Sequence, residues 1–232
     1  MRGDPAPVRF DVDAVAFDLD GTLLDTVHDL AASVNLLLVE NSMRALPQAQ
    51  VRDLVGKGIG NLISRSVTIV RGDSPGPVEL ATLLARYEEI YAAELGRRTQ
   101  PYEGMIEALH ALRAVGIKLA VVTNKLARFI EPHLRLAGIV DLFDATVGAG
   151  DAPARKPDRA PLDLAARRMG VDVARMLMVG DSINDVQAAR AAGCPTVVVP
   201  YGYREGMSVE ALGADAIVAS LAELPALCGR RP

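Results

Sequence analysis

Short apolar runs alternate along this chain with longer stretches of helical period. Ala14-Val15-Ala16-Phe17 is apolar at every position, as a strand must be when both of its faces are covered. Leu119-Ala120-Val121-Val122, Met176-Leu177-Met178-Val179 and Thr196-Val197-Val198-Val199 have the same character, and Ala145-Thr146-Val147 and Ala216-Ile217-Val218 are weaker versions of it. Between them, Met105, Leu109 and Leu112 make one helical face that stops at Gly116. Leu162, Ala165, Ala166 and Met169 make another that stops at Gly170, and an alanine-rich stretch from Val186 to Ala192 stops at Gly193. Strand, helix, strand, repeated, predicts an α/β fold with a parallel sheet wrapped by helices on both sides.

From about Thr26 to Arg98 that rhythm is interrupted. Leu30 to Val39, Val51 to Val55, Asn61 to Val70 and Val78 to Leu95 read as helices, separated by turns at Pro47 and at Gly72 to Pro77, and no strand is predicted among them. The spacing predicts an α-helical insert over residues 25–98, set into an α/β core made of residues 1–24 and 99–232. The joints fall near Leu24-Asp25-Thr26 and between Gly96 and Pro101.

Composition narrows the function classes. Half of the 232 residues are apolar, enough for a substantial core. The formal net charge of −4 argues against a surface that tracks phosphate backbones, and with 4% aromatics and no tryptophan there are few platforms for stacking bases, so no nucleic-acid partner is expected. No apolar run approaches the ~18 residues a membrane span requires. Cys194 and Cys228 are too few for a disulfide framework and read as reduced, partly buried thiols, and Met1 to Asp13 reads as a polar lead-in without the apolar stretch of a signal peptide. A cytoplasmic protein with no membrane partner is the expectation, as a monomer or homodimer.

The candidate chemistry gathers where apolar runs end. Asp18-Leu19-Asp20-Gly21-Thr22 follows the first strand, and strand alternation starts Asp18 and Asp20 on one face. Gly180-Asp181-Ser182-Ile183-Asn184-Asp185 follows another. If those two strands are neighbours, four carboxylates converge, and oxygen ligands without cysteine or histidine suit Mg²⁺. Thr123-Asn124-Lys125 ends a third strand, where a hydroxyl and main-chain N–H groups can hold a phosphate. Pro157 biases Lys156 toward an extended backbone, which fixes where its ammonium points. Carboxylates, a hard cation, a hydroxyl and a lysine form a toolkit for phosphoryl transfer. Gly56-Lys57-Gly58-Ile59-Gly60 is either a turn between helices or a loop that meets the distal end of a substrate, with Lys57 and Gly58 setting specificity. His28, His110 and His133 are expected to be solvated helix residues.

In that order, Asp18-Leu-Asp20-Gly-Thr22, Thr123-Asn124, Lys156-Pro157 and Gly180-Asp181-Ser182-x-x-Asp185, the motifs resemble those of the haloacid dehalogenase-like hydrolase superfamily. Asp20-Gly-Thr-Leu-Leu-Asp25, the Gly56 to Gly60 loop and Tyr201-Gly202-Tyr203 resemble its phosphoglycolate phosphatase family. The resemblance implies a Rossmann-like core with an inserted helical cap. It implies Asp18 as a nucleophile that takes up the phosphoryl group and Asp20 as acid and base. Mg²⁺ would be held by the Asp18 carboxylate, the Asp20 carbonyl and the Asp181 carboxylate, with Asp185 supporting it. Thr123, Asn124 and Lys156 would hold the phosphoryl oxygens. A small phosphate ester is the implied substrate, 2-phosphoglycolate first. A sugar phosphate, a nucleotide or pyrophosphate are alternatives, as is a phosphosugar mutase. A phospho-accepting regulatory module like a receiver domain is the reading from another class.

Overall fold

The computed structural model describes residues 9–229; residues 1–8, which carry most of the expected lead-in, and 230–232 lie outside the described residues. Six strands form one parallel sheet: β1 (Ala14–Phe17), β2 (Lys118–Leu126), β3 (Ala145–Ala149), β4 (Met176–Gly180), β5 (Thr196–Val198) and β6 (Ala216–Ile217). They lie in the order β3-β2-β1-β4-β5-β6. Phe17 stands opposite both Val121 on β2 and Val179 on β4, so the polar residues after all three runs leave the sheet along one edge. The chain builds outward from β1 to β3 and then returns to the other side of β1. Strand order therefore reverses between β1 and β4, the crevice where open α/β sheets take their ligands.

The alternation along each strand separates two apolar layers. Val15, Phe17, Leu119, Val121, Leu177 and Val179 pack with Leu109 and Leu112 of α5 (Met105–Ala114) and with Ile130 and Leu134 of α6 (Ile130–Leu136). Ala14, Ala16, Ala120, Val122, Met176 and Met178 pack with Leu162, Ala165 and Ala166 of α7 (Ala160–Met169) and with Ala188 and Ala189 of α8 (Ile183–Ala192). Runs that are apolar at every position are what such a two-sided sheet demands.

Four helices occupy the expected insert: α1 (Val27–Glu40), α2 (Gln48–Arg52), α3 (Ile59–Arg71) and α4 (Pro77–Glu94). They carry a separate apolar cluster around Val34, Leu37, Val51, Ile63, Val67 and Tyr87, joined by Phe129 and Tyr203 from outside the segment. The two joints are zipped together: Leu24–Asp25 pairs antiparallel with Gln100–Pro101. Asp29, fully buried in the first turn of α1, accepts from the Arg98 N–H at 2.9 Å and from the Thr99 hydroxyl at 2.7 Å. The Tyr203 hydroxyl accepts from the N–H groups of Thr26 and Val27 and donates to Asp25 at 2.7 Å.

Two elements depart from the expectation. The end of the lead-in is structured: Phe10–Asp11 pairs with Cys228–Gly229, and Val12 is buried. Helix α6 has no counterpart among the predicted elements, because seven residues are too short to display a period. Both cysteines are free thiols, and both are buried.

Leu109 lies fully buried on the α5 face. Leu109→Ala is expected to lower stability by about 2–5 kcal/mol through lost burial and the cavity left behind. A urea titration checks this, with the midpoint shifted and the slope unchanged.

Candidate active site

The site stands where β1, β2 and β4 end. The Asp18 N–H still bonds to the Val179 carbonyl at 2.9 Å, so its side chain is aimed by the sheet itself. The chain then folds tightly back, with the N–H groups of Leu23 and Leu24 both reaching the Leu19 carbonyl. Gly21 has φ of 89°, and a side chain there would strike the Asp181 carboxylate and the Tyr203 ring. A Cβ at Gly202 would overlap the same carboxylate. Asp181 is held by the Thr22 hydroxyl at 2.9 Å on one oxygen and by the Tyr203 N–H on the other.

Lys156 is almost wholly enclosed. Its ammonium donates to the Val122 carbonyl at 2.7 Å and to Asp185 at 2.6 Å, and lies 3.0 Å from Asp18 Oδ1. The other Asp185 oxygen accepts from the N–H groups of Asp181 and Ser182 and from the Ser182 hydroxyl, closing the first turn of α8. The Lys156-Pro157 peptide is cis. Asn124 donates its side-chain amide to the Lys156 carbonyl at 2.9 Å and to the Gly56 carbonyl at 3.0 Å. Past Val122 the pairing of β2 with β3 shifts register, and Thr123, Asn124 and Lys125 occupy that irregular stretch.

Asp18, Asp181 and Asp185, all buried, bring one carboxylate oxygen each within 4.8 Å of one another. At that separation each pair of ionised groups repels by about 3 kcal/mol at an effective dielectric near 20. Lys156 offsets one charge only. Burial, together with Asp185 and Asp20, pushes the Asp18 carboxyl up to about 6 against the pull of Lys156. Burial and the neighbouring Asp18 and Asp185 hold Asp181 well above the usual carboxylate range. Asp18 Oδ1 is buried without a hydrogen-bond donor in good geometry. An oxygen-only donor set with excess negative charge fits a hard divalent cation.

Asp20 does not join this group, so three of the four expected carboxylates converge rather than four. Both of its oxygens are taken by Lys125, at 2.9 and 3.2 Å. Burial would raise the Asp20 carboxyl, but Lys125 outweighs it and holds the group below its ordinary value. Above the site is a small cleft, partly open to solvent. Its floor is Asp18, Asp20, Thr123, Asn124 and Lys125; its walls are Leu30, Val55, Ile59, Leu62, Tyr91 and Phe129, with Gly56 and Gly58 at the rim.

A family model described as haloacid dehalogenase-like hydrolase matches residues 15–199. The chain belongs to the haloacid dehalogenase-like hydrolases. It is 45% identical over 219 residues to a phosphoglycolate phosphatase of Nitrosospira multiformis, covering 94% of this chain and 95% of that one. It is 39% identical over 223 residues to that of Thiobacillus denitrificans, covering 96% of each. A crystal structure of a predicted phosphoglycolate phosphatase from Haemophilus somnus superposes with a TM-score of 0.87 at 31% identity, covering 92% of this chain and 96% of that one.

Within this hydrolase the motif residues Asp18, Asp20, Thr123, Asn124, Lys156, Asp181 and Asp185 lie at one sheet edge, while Lys57 does not face the cleft. Its half-exposed ammonium pairs with Glu205 at 2.8 Å, whereas Gly58, with φ of 82°, lines the cleft with the Arg155 guanidinium close by. His28 and His110 are exposed as expected. His133 is not: it is 1% exposed on α6, edge-on to Tyr91, with neither ring nitrogen hydrogen-bonded. Burial and the adjacent Lys125 push its imidazole down to about 3, so it stands neutral. Tyr203, Tyr91 and Lys125 were given no role from sequence. Lys125 and Tyr203 sit inside quoted motifs, and Tyr91 carries no local signal.

Magnesium chloride is expected to raise the melting temperature above that in sodium chloride of equal ionic strength. At a concentration 100 times the dissociation constant the gain is about 2.7 kcal/mol. In Asp181→Asn the shift should vanish; an equal shift in both proteins would contradict the assignment.

Proposed function

We propose that this hydrolase is a Mg²⁺-dependent phosphatase of a small phosphorylated metabolite, with 2-phosphoglycolate as the favoured substrate, working through an aspartyl-phosphate on Asp18. The observation that carries the reading is Asp18 itself. It is a buried carboxylate at the end of β1, 3.0 Å from a buried lysine, beside two further carboxylates and on the floor of a cleft it shares with Asp20. The names of the relatives supply the phosphoglycolate, and a cleft walled by apolar side chains favours a small ester.

In the first half of the reaction an Asp18 oxygen bonds to phosphorus as the bond to the leaving oxygen breaks, and Asp20 gives that oxygen a proton. In the second half Asp20 takes a proton from water as water attacks the aspartyl-phosphate, freeing Asp18 and inorganic phosphate. Thr123, the Asn124 main chain and Lys156 hold the phosphoryl oxygens. The Asp18 and Asp181 carboxylates and the Asp20 carbonyl would hold Mg²⁺, with Asp185 behind them. When bound, the cation supplies the charge neutralisation that lets an anionic nucleophile approach an anionic ester. Residues 25–98 serve as the cap over the α/β core formed by the described residues on either side of them. Two free thiols fit a cytoplasmic enzyme.

Asp18→Asn is expected to cut phosphate release by at least about 10³-fold with circular dichroism unchanged. Asp20→Asn should lower kcat by about 10²–10⁴-fold and leave KM within a few-fold, because its proton transfers belong to the transition state. Phosphate release from a metabolite panel, with Mg²⁺ and with chelator, tests the substrate: 2-phosphoglycolate should give the highest kcat/KM, and activity in chelator would refute the metal dependence.

A further inference from the structure

Among the described residues, Lys125 is the cation on the cleft floor that the proposed chemistry leaves without a task. Its ammonium is 3% exposed and sits between the two oxygens of Asp20, at 2.9 and 3.2 Å, and the hydroxyl of Tyr91 at 2.5 Å. It also lies 4.7 Å from the centre of the Tyr91 ring. Tyr91 belongs to α4 of the helical insert, and Phe129 and Tyr87 pack against its ring edge-on and face-on. A fully buried tyrosine held on two sides is a rigid strut. His133, Tyr87 and Tyr91 also face this corner; burial keeps His133 neutral and both tyrosines protonated, so among the described residues Lys125 is the full positive charge beside Asp20.

We propose that Lys125, fixed by the Tyr91 hydroxyl of the insert, is the positioning residue for Asp20. It holds the carboxylate at the cleft, out of the cation-binding group of Asp18, Asp181 and Asp185. The inference rests on the reading of Asp20 as acid and base. A single ammonium that engages both oxygens fixes the carboxylate plane, and a hydroxyl from the opposite wall fixes the ammonium. The acid/base group is therefore in place only while α4 lies against the sheet edge. Without the ammonium, the Asp20 side chain is left with the Thr26 hydroxyl beside it and is freer to turn toward a cation held by its neighbours.

The test separates the two halves of the reaction. p-Nitrophenolate leaves without a proton, so phosphorylation of Asp18 by p-nitrophenyl phosphate depends little on Asp20, whereas hydrolysis of the aspartyl-phosphate depends on it fully. In rapid-mixing experiments K125M should therefore release a burst of about one nitrophenolate per site, followed by a steady state at least about 100-fold below wild type, with KM falling alongside kcat so that kcat/KM stays within threefold. Y91F keeps the ring and loses only the hydroxyl; it should show the same pattern with about a tenfold lower steady state. K125R, whose guanidinium can also engage both oxygens, should recover at least a tenth of wild-type turnover. Circular dichroism checks the fold, and Y91F carries the test if K125M does not fold. Steady-state rates within threefold of wild type, or a loss shared equally by burst and steady state, would overturn the positioning role while leaving the phosphatase reading intact. A wild-type chain that forms no nitrophenolate would overturn both.

Discussion

The repulsion among three buried carboxylates is the constraint around which the rest of the molecule is arranged. Asp18, Asp181 and Asp185 arrive from two neighbouring strands whose order reverses between them, so the sheet itself enforces their approach. Isolated buried ions of this kind are costly, and one lysine does not neutralise three of them. What the fold supplies is directional restraint. Asp185 is tied into the first turn of α8, Asp181 is gripped by Thr22 and Tyr203, and Asp18 is aimed by its ladder bond to Val179. Two glycines, at 21 and 202, leave the space that this grip occupies. The strain is thus kept local and oriented toward a charge the protein itself does not provide.

Much of this was legible in the sequence, for a physical reason. A strand covered on both faces must be apolar throughout, and its last residue must be followed by something polar if the sheet edge is to do chemistry; Phe17-Asp18 and Gly180-Asp181 satisfy both conditions in plain text. Three helices of the insert were legible because each is long; the second runs over Gln48–Arg52 and not over the expected Val51 to Val55, because five residues after Pro47 are too few to display a period. What the sequence did not show is partnership across distance. Lys125 lies 105 positions from Asp20, and Tyr203 lies 178 from Asp25. Neither pairing leaves a local trace, and without knowledge of its partner a lysine after Thr-Asn reads as surface. His133 failed for a related reason: polar by type, it is buried because α6 and the aromatic side chains of α4 close over it, a fact of packing and not of pattern. The Gly56 to Gly60 loop read equally as a turn between helices or as a substrate contact, and the pairing of Lys57 with Glu205, in a loop far along the chain, is another partnership without a local trace.

The contacts between the insert and the core differ in energy from one end to the other. At the joints the ties are buried: Asp29 with Arg98 and Thr99, and the Tyr203 hydroxyl with Asp25, Thr26 and Val27. Breaking such a bond strands a desolvated polar group at a cost of about 1–3 kcal/mol each. At the mouth the ties are the pairs of Glu205 with Lys57 and Arg65, whose basic side chains are 46% and 39% exposed. Exposed ion pairs of that kind contribute about 0–1 kcal/mol apiece. Those pairs are therefore the weakest of these ties, whereas the Tyr91 hydroxyl on Lys125 and the Asn124 amide on the Gly56 carbonyl join insert to core with polar groups that are buried or partly buried. The joint where Leu24–Asp25 meets Gln100–Pro101 and the floor of the cleft thus hold the insert more firmly than its mouth does.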